Sequence, residues 1–114
     1  MAGLVHKTND CIVSREKVLQ AVREVAEQYG AFKAIVFGSF ARNTMTRHSD
    51  IDAIFIEETN RRFIERLDRY MGGIYDRLGI PADVLVYTPQ EFDAMSDRSF
   101  MKRVLREGIV VYER

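Results

Sequence analysis

Two short stretches decide the fold of this chain: residues 38–43 read Gly-Ser-Phe-Ala-Arg-Asn, and residues 49–52 read Ser-Asp-Ile-Asp. Ten residues separate the Gly-Ser pair from the Asp-x-Asp pair. An apolar, β-branched run over 33–37 ends at the glycine, and a second run over 51–56 begins inside the aspartate pair. Such runs predict buried strands. The sequence therefore predicts a turn at the end of one strand and two carboxylates at the start of the next.

The composition is that of a single globular domain. The chain has 114 residues, of which 46% are hydrophobic, and this is enough to build a core without disulfides. Seventeen acidic and seventeen basic side chains cancel, which argues against a strongly basic nucleic-acid-binding protein. Cys11 is the only cysteine, and no apolar run approaches the length of a membrane span or a signal peptide. We expect a cytoplasmic protein.

Helices and further strands are predicted around the two stretches. Ser14 is a plausible N-cap for a helix that ends at Gly30. Thr59 or Asn60 can cap a longer helix to about residue 78, with a solvated face rich in arginine and a core face of Phe63, Leu67, Met71 or Tyr70, Ile74 and Leu78. The remaining predicted elements are a strand over 82–87, a short helix from the capping box 88–91, a helix over 99–107 and a strand over 109–112.

This order predicts an α/β (α+β) fold, a small mixed sheet covered by helices. Residues 1–13 are expected to form an N-terminal tail, and residues 14–114 to form the domain. The helix between the second and third strands has the length that a parallel crossover requires. If the first two strands are antiparallel and the next two parallel, Gly38, Ser39, Asp50, Asp52 and Asp83 meet at one edge of the sheet.

The predicted cluster suits phosphate and a hard cation. Asp50 and Asp52 lie two apart in a strand, so their side chains share a face and can converge on one or two ions. Oxygen ligands favour Mg²⁺ or Mn²⁺ over zinc. Gly38 lets backbone approach a phosphate closely, Ser39 can donate its hydroxyl, and Arg42 can neutralise phosphate charge.

Each of these motifs is common by itself, and each has a structural explanation. A lone Asp-x-Asp is more often a turn or a cap, a lone Gly-Ser is usually a turn, and a lone arginine is usually a surface residue. The chain has no Walker loop, no Gly-x-Gly-x-x-Gly and no EF-hand loop. The combination in one order is much more specific.

That combination, with Asp83 on a later strand, resembles the nucleotidyltransferase superfamily of polymerase β type, and the small size resembles its minimal nucleotidyltransferase (MNT) branch. The resemblance implies that Gly38 and Ser39 hold a triphosphate, with Arg42 and Ser49 beside them. It also implies that Asp50 and Asp52 bind two Mg²⁺ ions, and that Asp83 completes the metal site or assists deprotonation of the acceptor. Asn43 stands where the family commonly has glycine, and asparagine tolerates left-handed backbone angles.

The same resemblance implies a function. The expected reaction is transfer of a nucleoside monophosphate, AMP from ATP, to a hydroxyl on a separately encoded helical partner of HEPN type, as in MntA-type antitoxins. The length leaves no segment for an acceptor-binding domain, so the acceptor surface is expected on the partner. Two alternatives stay open: a non-catalytic antitoxin or nucleotide-binding subunit that acts by contact, and an enzyme that modifies a small molecule.

Overall fold

A computed structural model describes residues 14–42 and 51–114 of the chain. The predicted tail over 1–13, the predicted site residues Ser49 and Asp50, and Asn43 lie outside the described residues. The elements in chain order are α1 (Arg15–Tyr29), β1 (Lys33–Phe37), α2 (Gly38–Ala41), β2 (Ile51–Ile56), a 3₁₀ turn (Phe63–Arg66), α3 (Leu67–Leu78), β3 (Ala82–Tyr87), α4 (Pro89–Met95), α5 (Ser99–Glu107) and β4 (Ile109–Glu113).

The four strands form one mixed sheet in the order β3-β2-β1-β4. β1 is antiparallel to both β2 and β4, whereas β2 and β3 are parallel. α3 supplies the crossover between the parallel strands, as its predicted length requires. The two conditions that bring the predicted site to one sheet edge are therefore both met, and the predicted fold class is confirmed.

Local signals in the sequence set the ends of several helices. The Ser14 side chain accepts a hydrogen bond from the amide of Lys17, and Gly30 closes α1 in the left-handed conformation. At α4, the Thr88 hydroxyl accepts from the Glu91 amide, and the Glu91 carboxylate accepts from the Thr88 amide. These reciprocal bonds are the predicted capping box, and they satisfy amides that have no partner inside the helix.

Both faces of the sheet are buried, as the apolar strands predict. On the face towards α1 and α3, Phe55 stacks on Tyr70 with 4.3 Å between ring centroids. On the other face, Ile35 and Ile54 pack with Met101 and Val104 of α5. Asp52 belongs to this second face, because it alternates with its neighbours Ile51 and Ala53. Among the described residues, no helix is long and apolar enough to cross a membrane.

The helix that ends before Gly79 starts later in the structure than the sequence predicts, and the residues that it buries differ in part from the predicted core face. The chain after β2 stays irregular through Thr59 and Asn60, makes a 3₁₀ turn and becomes α-helical only at Leu67. Tyr70, the alternative to Met71, is the buried residue, while Phe63 and Met71 are exposed. Before the 3₁₀ turn, the Thr59 hydroxyl accepts a hydrogen bond from the Arg61 amide, and the Glu65 carboxylate accepts one from the Arg62 amide.

The arginines of this region are not simply a solvated face, as the sequence had suggested. Arg66 is only 6% exposed. Its guanidinium pairs with Glu91 at 2.7 Å and donates to the carbonyl oxygens of Val86 and Arg61, at 3.0 and 2.9 Å. These partners satisfy a charge that would otherwise be costly to bury. A second arginine, Arg69, pairs with the buried Glu57.

Candidate active site

The site begins where β1 gives way to α2. Gly38 follows Phe37 directly and has a φ of 76°, in the region that favours glycine. The short helix α2 is anchored below by the buried Phe40, whose carbonyl oxygen accepts a hydrogen bond of 3.1 Å from Arg15. The Arg15 guanidinium also lies over the Phe40 ring, 4.9 Å from its centroid. α1 therefore holds the glycine-serine turn in place.

Asp52 lies directly beside this turn. It pairs with Phe37 across the antiparallel strands β1 and β2. A Cβ atom added to Gly38 would overlap Oδ2 of Asp52 and lie 3.2 Å from its Cγ. The absence of a side chain at position 38 is therefore what allows the Asp52 carboxylate to occupy its position.

Asp83 lies on the other side of Asp52. In the parallel pairing of β2 and β3, these two aspartates are direct register partners. Asp52 is half-buried and Asp83 is exposed. Two carboxylates side by side repel each other unless a cation or a proton lies between them. Their placement suits a site that binds positive charge.

A groove of about 430 Å³ contains both carboxylates. Its other lining side chains are apolar. The groove is lined by Phe37, Asp52, Leu67, Met71, Asp83, Val84, Leu85 and Phe100.

A smaller cavity of about 130 Å³ lies between the end of β1 and helix α5. It has a different character, because two arginines and one glutamate contribute to it. Arg42 forms an ion pair of 3.6 Å with Glu107 there. The cavity is lined by Phe37, Gly38, Arg42, Phe100, Arg103, Val104 and Glu107.

The structure thus brings together Gly38, Asp52 and Asp83, three of the residues predicted to form the site. Ser39 follows Gly38 in α2, and Arg42 lines the smaller cavity. The predicted site residues Asp50 and Ser49 lie outside the described residues, as does Asn43, which stands where the family commonly has glycine. The catalytic, nucleotide-binding and metal-binding roles of all these residues stay predictions.

The donor set fits a hard divalent cation. Asp52 and Asp83 offer carboxylate oxygens at the same level of two paired strands, and such ligands favour Mg²⁺. In the ranges 14–42 and 51–114, no three carboxylate, histidine or cysteine side chains are grouped closely enough to hold a metal. The third oxygen ligand of the predicted site would be Asp50, which precedes β2.

Sequence reasoning missed two residues at the site, Phe100 and Arg103. Both lie on α5, three residues apart, so they share one helix face. Their spacing alone does not distinguish them from other exposed residues of this helix. Only the packing of α5 across the end of β1 brings them beside Gly38.

The family profile described as "Nucleotidyltransferase domain" matches residues 16–111. A Methanocaldococcus jannaschii protein named as a protein adenylyltransferase is 30% identical over 80 residues, which cover 70% of this chain and 77% of the relative.

Two solved structures share the fold. A Sulfolobus solfataricus protein described as a nucleotidyltransferase is 22% identical, with a TM-score of 0.57 and coverage of 95% of this chain and 91% of that chain. A chain from the complex of the tri-AMPylated Shewanella oneidensis HEPN toxin with its MNT antitoxin is 12% identical, with a TM-score of 0.56. In that comparison, 89% of this chain and 74% of the other are covered. Since the profile spans nearly the whole chain and both aspartate-bearing strands, this protein belongs to the nucleotidyltransferase domain family.

Proposed function

We propose that this protein is an Mg²⁺-dependent adenylyltransferase that transfers AMP from ATP to a hydroxyl group on a partner protein. The observation that carries the proposal is the register pairing of Asp52 with Asp83, beside a glycine that has no room for a side chain. The name of the M. jannaschii relative supports adenylyl transfer to a protein. The AMPylated toxin in the S. oneidensis complex supports a HEPN-type acceptor.

Asp50, Asp52 and Asp83 would hold the metal ions. When bound, such ions neutralise phosphate charge and favour an ionised acceptor hydroxyl. The two neighbouring carboxylates would together attract a cation more strongly than either would alone.

The chain itself would position the reacting groups. The acceptor oxygen attacks the α-phosphorus of ATP, and the bond from that phosphorus to the α–β bridging oxygen breaks. Pyrophosphate leaves with the electron pair, and the hydroxyl proton passes to the Asp83 carboxylate. Gly38 and Ser39 would hold the phosphates against the end of β1, since backbone can approach closely at the glycine.

The groove and the smaller cavity suit the two ends of this reaction. In-line attack requires the acceptor and the leaving pyrophosphate to lie on opposite sides of the α-phosphorus. The apolar groove beside Asp83 would receive the acceptor, and its leucine, methionine and phenylalanine side chains would favour an aromatic hydroxyl such as that of tyrosine. The cavity with Arg42 would receive the phosphates that leave.

The deciding experiment is co-expression with the product of the adjacent open reading frame, followed by intact-mass measurement of that partner. Incubation of the purified pair with ATP and Mg²⁺ repeats the test in vitro. We expect the partner to gain one or more AMP groups with the wild type, and none with Asp52→Asn. If Asp52→Asn neutralises the partner as well as the wild type and no AMP is gained, the contact-only antitoxin replaces this proposal. If the partner is neither bound nor modified, a small-molecule acceptor becomes the better hypothesis.

A further inference from the structure

The groove and the smaller cavity at the candidate active site carry opposite charges. The groove contains the carboxylates of Asp52 and Asp83 and no basic side chain. The smaller cavity is lined by Arg42 and Arg103 and by one acidic residue, Glu107. The formal charge is therefore negative in the groove and positive in the smaller cavity.

An apolar wall separates the two. Phe37 and Phe100 line both spaces, and their rings meet edge to face with 5.7 Å between centroids. Gly38 lines the smaller cavity and lies against the carboxylate of Asp52, which lines the groove. The contact between Gly38 and Asp52 therefore lies between the two spaces.

The positive charge of the smaller cavity comes mainly from Arg103. Arg42 lies 3.6 Å from Glu107, so its charge is already partly compensated. Within the part of the chain that the structure describes, Arg103 forms neither an ion pair nor a side-chain hydrogen bond. Its planar guanidinium is thus available to bind phosphate oxygens through two parallel hydrogen bonds.

We infer that Arg103 binds the β- and γ-phosphates of the nucleoside triphosphate from the side of α5. The inference rests on the proposed function, to which it adds a residue that holds the leaving group. When the bond from the α-phosphorus to the bridging oxygen breaks, the electron pair stays on pyrophosphate. Arg103 stabilises this added charge, and the proton of the acceptor hydroxyl goes to the Asp83 carboxylate.

The test compares three ligands on the full chain in the presence of Mg²⁺: ATP, AMP and inorganic pyrophosphate. Titration calorimetry on Arg103→Met should show affinity for ATP and for pyrophosphate reduced about tenfold or more, the usual effect of losing hydrogen bonds to a charged group. Affinity for AMP should be unchanged, because AMP has neither the β- nor the γ-phosphate. Arg103→Gln is the second variant, and circular dichroism verifies that both fold.

Lys102→Met is the control. Lys102 lies on the same helix, carries the same charge, is exposed and does not line the cavity. It should bind all three ligands as the wild type does. In turnover assays, Arg103→Met should also require a higher pyrophosphate concentration for product inhibition, by a similar factor.

The outcomes separate this inference from the proposed function. Suppose that the wild type binds ATP, and that both Arg103 variants bind ATP and pyrophosphate with the affinity of the wild type. The inference is then wrong and the proposed function stands. If Lys102→Met loses as much affinity as Arg103→Met, general charge explains the effect and the inference is again wrong. If the wild type binds no nucleoside triphosphate, the proposed function fails and this inference fails with it.

Discussion

Gly38 and Asp52 lie so close together that position 38 has no room for a side chain. A Cβ atom there would overlap the Asp52 carboxylate, and the glycine also has a φ of 76°. Two requirements thus apply to one residue: a left-handed backbone and an absent Cβ. Gly79 has a similar φ of 72°, but a Cβ at that position would meet nothing within 4 Å. The pair of glycines therefore allows strain and crowding to be measured separately.

The first prediction concerns these glycines. Gly79→Ala should lower the free energy of unfolding by about 1 kcal/mol through backbone strain alone, and should leave ATP binding unchanged. Gly38→Ala should cost more, because Asp52 must also move, and should abolish Mg²⁺-dependent ATP binding. Urea unfolding and titration calorimetry on both variants make the comparison. Wild-type ATP affinity in Gly38→Ala would contradict a role for this close approach in the site.

The second prediction concerns the paired carboxylates. In the absence of divalent ions, Asp83→Asn should be as stable as the wild type or more stable by about 0.5 kcal/mol, since like charges facing each other across strands are unfavourable. Mg²⁺ should raise the melting temperature of the wild type and raise that of Asp83→Asn much less.

The control for this measurement is Asp93→Asn, which removes the charge of an exposed aspartate of α4 outside the groove. It should respond to Mg²⁺ as the wild type does. A wild type whose melting temperature is the same with and without Mg²⁺ would argue against a metal site at this edge.

Much of the fold could be predicted because its signals are local. β1, β2 and β3 have the predicted bounds, since each is a β-branched apolar run between breaking residues. The caps at Ser14 and Thr88 depend on side chains within three residues of the helix start. Long-range pairs have no such signal. Arg66 looks like any surface arginine until Glu91, 25 residues later, is brought against it.

The candidate site divides in the same way. Gly38, Asp52 and Asp83 could be expected to meet, because strand direction alone determines which strand ends share an edge. Phe100 and Arg103 could not, since they reach the site through the docking of α5, which depends on the packing of Met101 and Val104 under the sheet. Periodicity identifies the buried face of that helix but not the strand end over which it lies.

The third prediction concerns the buried arginine. Arg66→Met should lower the free energy of unfolding by roughly 2–4 kcal/mol, because the Val86 carbonyl loses its donor and Glu91 loses its ion pair. Arg62→Met is the control: Arg62 pairs with Glu65 while 86% exposed, so its loss should cost under about 1 kcal/mol. Equal effects of the two substitutions in urea unfolding would contradict a structural role for the buried pair.

The fourth prediction is the pH dependence of this pair. The Arg66 guanidinium, and next the Thr88 amide, hold the pKa of the Glu91 carboxyl below its usual value of 4.5. A lowered folded-state pKa gives stability that is present above about pH 4.5 and is lost as the pH falls through the lower value. Glu91→Gln should therefore be less stable than the wild type at pH 7, and the difference should shrink on acidification. If thermal melts show the same stability difference between the wild type and Glu91→Gln from pH 7 to pH 3, the predicted pH dependence of this pair is wrong.

The last prediction concerns the hydroxyl of Tyr70, which donates to the buried carboxylate of Glu57 alongside Arg69. Tyr70→Phe keeps the ring stacked on Phe55 but removes this donor, so it should cost about 1–3 kcal/mol. The control is Tyr75→Phe, five residues along the same helix and 56% exposed, which should change stability by less than about 0.5 kcal/mol.

High pH gives the same hydroxyl a second test. Burial, and next the Glu57 carboxylate, raise the pKa of Tyr70 far above its usual 10.0. The unfolded chain therefore loses this proton near pH 10.0 while the folded chain keeps it, so folding stability declines as the pH rises above that value. Tyr70→Phe should make this decline shallower, and Tyr75→Phe should leave it unchanged. Urea unfolding between pH 8 and pH 11 measures both slopes, and parallel curves for the wild type and Tyr70→Phe would show that this hydroxyl ionises as freely in the folded protein as in the unfolded chain.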